Sequence, residues 1–166
     1  SASYNRAKAA MAAENYALAV ESLADLARDN PTDAYADIDD IYKEANYRYA
    51  DQLYDEGKPY EALKYYRNIP DYKDVATKKL DRVCYRMIGT WKSATGIVMT
   101  FKEDGTCVID GRNYYFYARN YTMNTGGAQD DLPTKWTVHY CREKTMSLSN
   151  DTARKQYSLT RVAEAQ

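Results

Sequence analysis

Along Cys84-Tyr85-Arg86-Met87-Ile88-Gly89-Thr90-Trp91 the spacing of apolar residues changes, and the fold class turns on that change. Before it, apolar residues recur every three or four positions, the period of an amphipathic helix. After it they alternate: Ile97, Met99 and Phe101, then Trp136, Val138 and Tyr140, then Met146 and Leu148, then Tyr157 and Leu159. Alternation is the period of a strand with one buried face. The change predicts an α+β chain, with a helical domain over 1–88 and an antiparallel β domain over 89–166. The stretch holds no Ser-, Pro- or Gly-rich linker, so a rigid joint is expected, the last helix packing on the sheet through Cys84, Met87 and Ile88. Neither half would be very stable alone, because small domains bury a smaller share of their surface.

Working back from this stretch, the spacing predicts helices over 3–13, 16–29, 33–56, 59–68 and 72–88. Each stop has a chemical cause: Asn30-Pro31-Thr32 ends the second helix, Gly57-Lys58-Pro59 the third, and Pro70-Asp71 precedes the fifth. In the third helix Tyr35, Ile38, Tyr42, Ala45, Tyr49 and Leu53 make one apolar and aromatic stripe that neighbouring helices are expected to cover. Tyr4, Ala7, Met11, Ala19, Leu23 and Leu26 recur 43 residues later as Tyr47, Ala50, Tyr54, Ala62, Tyr66 and Ile69.

Working forward, Asp104-Gly105 and Asp110-Gly111 are hairpin turns. The expected strands are 90–94, 96–102, 106–110, 113–118, 120–124, 134–141, 144–149 and 155–162.

Three resemblances rest on these residues. Ala50, Tyr54, Gly57, Ala62 and Tyr66 resemble the small, aromatic, glycine, alanine, aromatic pattern of tetratricopeptide repeats, with a period of 43 in place of the family's 34. The turn Pro70-Asp71-Tyr72-Lys73-Asp74 followed by Cys84-Tyr85 is similar to a repeat of bacterial surface-associated proteins. Gly89-Thr90-Trp91, with Thr100–Thr106, Tyr121–Gly126 and Ser158–Val162, resembles small lipocalin-like bacterial domains of unknown function. In those, a Gly-x-Trp element plugs one end of a barrel or curled sheet. The resemblances imply a meander or partial barrel after a helical-repeat bundle, and a place outside the cytoplasm in a larger surface-anchored protein.

Composition removes several functions. The 23 basic and 24 acidic residues leave a net charge of −1, so no global field draws the chain to nucleic acid or an anionic membrane. The one cationic run, Lys78, Lys79, Arg82 and Arg86, is too small for a phosphate-tracking surface. No apolar run is long enough to cross a bilayer, so no membrane insertion is expected. A lone histidine supplies neither a metal set nor a triad except around His139, and no phosphate-cradling glycine loop is present. The reading is therefore non-enzymatic, without cofactor or metal. Its reserve is a thiolate pair from His139 and Cys141, two residues apart on one strand. Cys107 and Cys141 could bridge if their strands were neighbours. Asp33, Asp37, Asp40 and Glu44 read as a solvated helix face, and Asp130 and Asp131 as turn caps.

Tyrosine is the remaining signal, 18 residues of which twelve precede Gly89. That is more than a small core can use, since each buried hydroxyl needs a partner, so some should be exposed for recognition. The candidates are Tyr47, Tyr54, Tyr65 and Tyr66 on the helices and Tyr115 and Tyr117 opposite Tyr114 and Phe116. The expected partner is a protein or peptide, met at the helical groove or the helix-sheet joint. The alternative is a glycan or small apolar ligand inside the curled sheet beside Trp91, Phe101 and Trp136.

Overall fold

A computed structural model of the chain describes residues 1–29 and 35–163. The stop at Asn30-Pro31-Thr32, the start of the third helix at 33, and Asp33 lie outside the described residues. The chain divides into two compact units, Ser1–Lys79 and Leu80–Gln166.

The first unit carries α1 (Ala2–Ala12), α2 (Tyr16–Asp29), α3 (Ile38–Asp55) and α4 (Pro59–Arg67), then a π-helical turn at Val75–Lys79. Ser1 Oγ accepts from Tyr4 N at the start of α1, and Asn15 Oδ1 from Leu18 N at the start of α2. Alanines at 7, 19, 45, 50 and 62, all 0% exposed, let the helices approach closely. The 43-residue recurrence extends to the turns. Gly57 N donates to Tyr54 O and Lys58 N to Leu53 O, as Glu14 N does to Met11 O and Asn15 N to Ala10 O. Both turns need a left-handed residue, φ +81° at Gly57 and +56° at Glu14. Glu14→Gly should therefore raise the stability of this unit by about 1 kcal/mol; thermal unfolding followed by far-ultraviolet circular dichroism checks it, and an unchanged or lower melting point would contradict it.

The expected helix over 72–88 does not form. Lys73 takes a left-handed φ of +46°, Asp74 and the π turn follow, and the helix resumes only as α5 (Val83–Arg86), which belongs to the second unit. Arg82, at φ −67° and ψ 148°, is the extended residue that opens it.

The second unit is a closed eight-stranded antiparallel barrel: β1 (Gly89–Ser93), β2 (Val98–Phe101), β3 (Thr106–Ile109), β4 (Arg112–Arg119), β5 (Thr122–Gly126), β6 (Thr134–Cys141), β7 (Thr145–Asn150) and β8 (Lys155–Arg161). Each strand pairs with the next, and β8 closes on β1 with Trp91 opposite Arg161. All eight expected strands form, so the lipocalin-like barrel architecture is present in full closure. An eight-stranded barrel is just wide enough for its own side chains. Trp91, Met99, Phe101, Met123, Met146 and Leu148 fill this one, each at most 1% exposed.

The Gly-x-Trp element is held from both ends of the unit. Trp91 Nε1 donates to Met87 O at 2.9 Å, and the Arg161 guanidinium lies 4.2 Å from the indole centroid. That guanidinium also donates to Glu143 O at 2.7 Å, Ile88 O at 2.8 Å and Arg86 O at 2.6 Å. Gly89, at φ +131°, permits this approach, because a Cβ there would sit 2.4 Å from Arg161 Nη1.

One expectation about facing fails in β6. A bulge shifts the register between Val138 and Tyr140. Beyond it Tyr140 no longer shares the inner face with Trp136 and Val138, and Cys141 turns inward at 3% exposure.

Candidate functional site

A feature of the first unit that could take a ligand is an open groove of about 950 Å³ between α2, α3 and α4. It arises from a mismatch of lengths. The 18-residue α3 spans about 27 Å, whereas the nine-residue α4 covers only about half of that. The aromatic stripe of α3, expected to be covered, is therefore left partly open: Tyr42 is 37% exposed and Tyr49 half-buried. Val20, Ala24 and Leu26 of α2 form the apolar wall, and Tyr65 of α4 faces Tyr49 edge-on at 4.6 Å. The floor is polar but satisfied. Asn46, 2% exposed, donates to Tyr42 O at 2.8 Å and accepts from Asn68 Nδ2 at 2.9 Å. Glu21 and Asp39 supply negative charge and Lys64 positive charge within the same lining. Rigid aromatic rings beside a short apolar wall and a few polar groups can bind a peptide side chain while reading its main chain.

Of the helical tyrosines singled out by sequence, Tyr65 lines this groove. Tyr42, Tyr49, Asn46 and Asn68 line it too, and sequence reasoning missed them as site residues. The available signal was the use of tyrosine in place of leucine along α3, next to a helix half its length.

Tyr47 and Tyr66 serve a different purpose. Tyr66 is 0% exposed and donates to Asp51 Oδ1, so its expected exposure is corrected to full burial. Tyr47 donates to Asp74 Oδ1 at 2.7 Å; burial first, then that carboxylate, pushes its hydroxyl pKa up. Tyr54 is half-buried. Tyr4 donates to Asp37 Oδ1 at 2.6 Å and Tyr72 to Glu44 Oε2. The surplus phenols thus find carboxylates from distant helices and turns, so only a few remain for recognition. The solvated acidic face holds at Asp40, which is exposed, but Asp37 and Glu44 are tied to other segments. Asp37 accepts from Tyr4, and Glu44 gathers Tyr72, Arg48 at 2.8 Å and Lys73 at 2.9 Å. Burial pushes the Glu44 carboxyl up, but these three donors outweigh it and hold it at about 2. In the cationic run, Lys79 pairs with Asp51 at 3.1 Å and Arg86 with Asp81 at 2.6 Å, leaving no continuous basic strip.

Comparison with family models, with curated proteins and with solved structures returned no match for this chain.

In the barrel, Tyr115 is 36% exposed and Tyr117 half-buried, on the side away from Phe116 at 4%. Trp91, Phe101 and Trp136 are 0%, 1% and 4% exposed and lie in the packed interior, the Trp136 indole donating to Thr125 Oγ1 at 2.9 Å. They build the barrel core. The His139 and Cys141 pair is not assembled: the bulge leaves His139 exposed with Nε2 2.6 Å from Ser149 Oγ, and Cys141 buried. Cys107 on β3 and Cys141 on β6 are not on neighbouring strands, and all three cysteines are free and buried. Burial pushes the Cys107 thiol up to about 12 and the Cys141 thiol up to about 11. Iodoacetamide at neutral pH should leave all three unmodified in the folded chain over a period that fully labels the urea-unfolded chain; rapid native labelling of Cys141 would refute this. Asp130 and Asp131 are exposed in a turn closed by Asp131 N to Ala128 O. Among the described residues no group of three or more His, Cys, Asp or Glu is placed to hold a metal ion, and no helix is long and apolar enough to cross a membrane.

Proposed function

We propose that the chain is a non-catalytic interaction module whose helical unit takes a peptide segment of a protein partner in the groove between α2, α3 and α4. The observation that carries this is the open stretch of α3, where Tyr42 and Tyr49 face the α2 wall with no helix of the described residues over them. Rings of this kind give large contact area for little lost side-chain freedom. The recurring Ala7 and Ala50, Ala19 and Ala62, with the matching turns at Glu14 and Gly57, support reading the unit as tetratricopeptide-like repeats, whose stacked hairpins generate concave surface. Resemblance alone supplies the setting, a bacterial surface protein outside the cytoplasm.

Selection of peptides from a displayed random library against the whole chain tests the reading. Selected peptides should bind with dissociation constants of roughly micromolar, and Tyr42→Ala and Tyr65→Ala should each weaken them roughly tenfold. Tyr115→Ala, on the barrel, should leave them unchanged. No selected binder, or binders indifferent to Tyr42 and Tyr65, would reject the groove as the site.

A further inference from the structure

The outer face of the barrel along β6, β7, β8 and β1 carries a pattern that the groove does not explain. Cross-strand register sets Tyr140, Ser147 and Ser158 in one row and Thr145, Thr160 and Lys92 in the next. Ser147 is buried at 4% exposure, whereas the hydroxyls of Tyr140, Thr145, Ser158 and Thr160 belong to side chains that are half-buried or exposed. Strands lie about 4.8 Å apart and same-face residues nearly 7 Å apart, so these four hydroxyls form a patch of groups that both donate and accept hydrogen bonds. The β6 bulge is what brings Tyr140 onto this face.

Tyr140 stands between two hollows and lines both. One, of about 530 Å³, holds Lys92, and the other, of about 470 Å³, holds Arg142 and His139. The Arg142 guanidinium is 4.4 Å from the Tyr140 ring centroid, which holds it in place. Among the described residues no Asp or Glu lines either hollow. Arg86 and Arg161 border them but are already used, Arg86 by Asp81 and Cys141 O, Arg161 by main-chain carbonyls. Asp151, beside the second hollow, accepts from Thr137. Among the described residues Lys92 and Arg142 have no ion pair, so one unpaired cation lies on each side of an aromatic ring.

We propose that this face binds an acidic oligosaccharide, with a sugar ring against Tyr140, its hydroxyls on Ser158, Thr145 and Thr160, and carboxylates of the sugar chain at Lys92 and Arg142. Hydroxyl side chains suit vicinal diols because each can give and take a hydrogen bond. Two cations beside a patch of hydroxyls suit a chain that offers sugar hydroxyls as well as carboxylates, whereas a phosphate backbone is held chiefly by many cations. The site lies wholly within the barrel unit and is independent of the peptide groove.

The test is amide chemical-shift mapping on the whole chain, titrated separately with a hexamer of α-1,4-linked galacturonate, a hyaluronan hexamer, the methyl ester of the galacturonate hexamer, and hexaglutamate. At least one acidic saccharide should shift β6, β7, β8 and β1 amides with a dissociation constant below about 1 mM, with the ester binding roughly tenfold more weakly and hexaglutamate leaving the face unshifted. Tyr140→Ala and the surface variant Lys92→Glu should each weaken binding roughly tenfold, with Lys92→Glu deciding if Tyr140→Ala does not fold. The proposal is overturned if neither acidic saccharide shifts these strands by about 10 mM, if hexaglutamate binds as well, or if Lys92→Glu binds normally.

Discussion

Replacing Arg161 by alanine is expected to destabilise the barrel by about 3 kcal/mol or more, a large share of what a unit of this size possesses. The side chain donates to three carbonyls, Glu143 O, Ile88 O and Arg86 O, and covers the Trp91 ring at 4.2 Å. Hydrogen bonds to a charged donor contribute about 1.5–3 kcal/mol each, and a partly desolvated cation over an indole about 2. The contributions overlap, so their sum is not expected. The position is also where closure is made, because Trp91 and Arg161 are opposed between the first strand and the last. Arg161→Lys should recover only part of the loss, since an ammonium cannot fork to three acceptors and cover a ring. Both tryptophans, Trp91 and Trp136, lie in the barrel, so urea unfolding followed by their fluorescence reports this unit. A midpoint unchanged in Arg161→Ala would show that the clamp is incidental.

Glu44→Gln should produce the second large effect, in the helical unit. At pH 7 the wild-type carboxylate accepts from Tyr72, Arg48 and Lys73; the amide keeps one acceptor and leaves both cations without their counter-charge. The expected cost is about 1–2 kcal/mol. The pH dependence follows from a folded pKa of about 2 against an ordinary 4.5. Above the ordinary value both states are ionised and the full contribution is present. As pH falls, the unfolded chain takes up its proton first, so the contribution drains away between about 4.5 and about 2. Far-ultraviolet circular dichroism on acid titration should show a steeper loss of stability in the wild type than in Glu44→Gln over that window. Parallel titrations would mean that Glu44 is merely solvated.

The barrel was the more legible half. Asp110-Gly111 is a tight turn with Gly111 at φ +80°, Gly105 sits at φ +83°, and alternation picks out Met99, Phe101, Met146 and Leu148 as interior. What alternation does not carry is long-range pairing, so the closure of β8 on β1 emerges only in three dimensions. Nor does it reveal a bulge: one extra residue at His139 exchanges Tyr140 for Cys141 on the inner face and separates the histidine from the thiol. In the helical half, periodicity runs through Tyr72–Ile88 without a strong breaker. Lys73 nevertheless adopts a left-handed backbone while its ammonium and the Tyr72 hydroxyl both reach Glu44. Such non-local demands decide the tyrosines as well. Tyr47 and Tyr66 look like a surplus in sequence because Asp74, 27 residues on, and Asp51, 15 residues back, cannot be recognised in sequence as their partners. The groove was half legible: the α3 stripe was visible, but its lack of cover depends on how far α4 reaches.

The most direct measurement is photo-crosslinking from a selected peptide bearing a single diazirine, followed by mass spectrometry of the adducts on the whole chain. Adducts are expected on α2 and on the segments holding Tyr42, Tyr49 and Tyr65. Adducts confined to the barrel strands would contradict this.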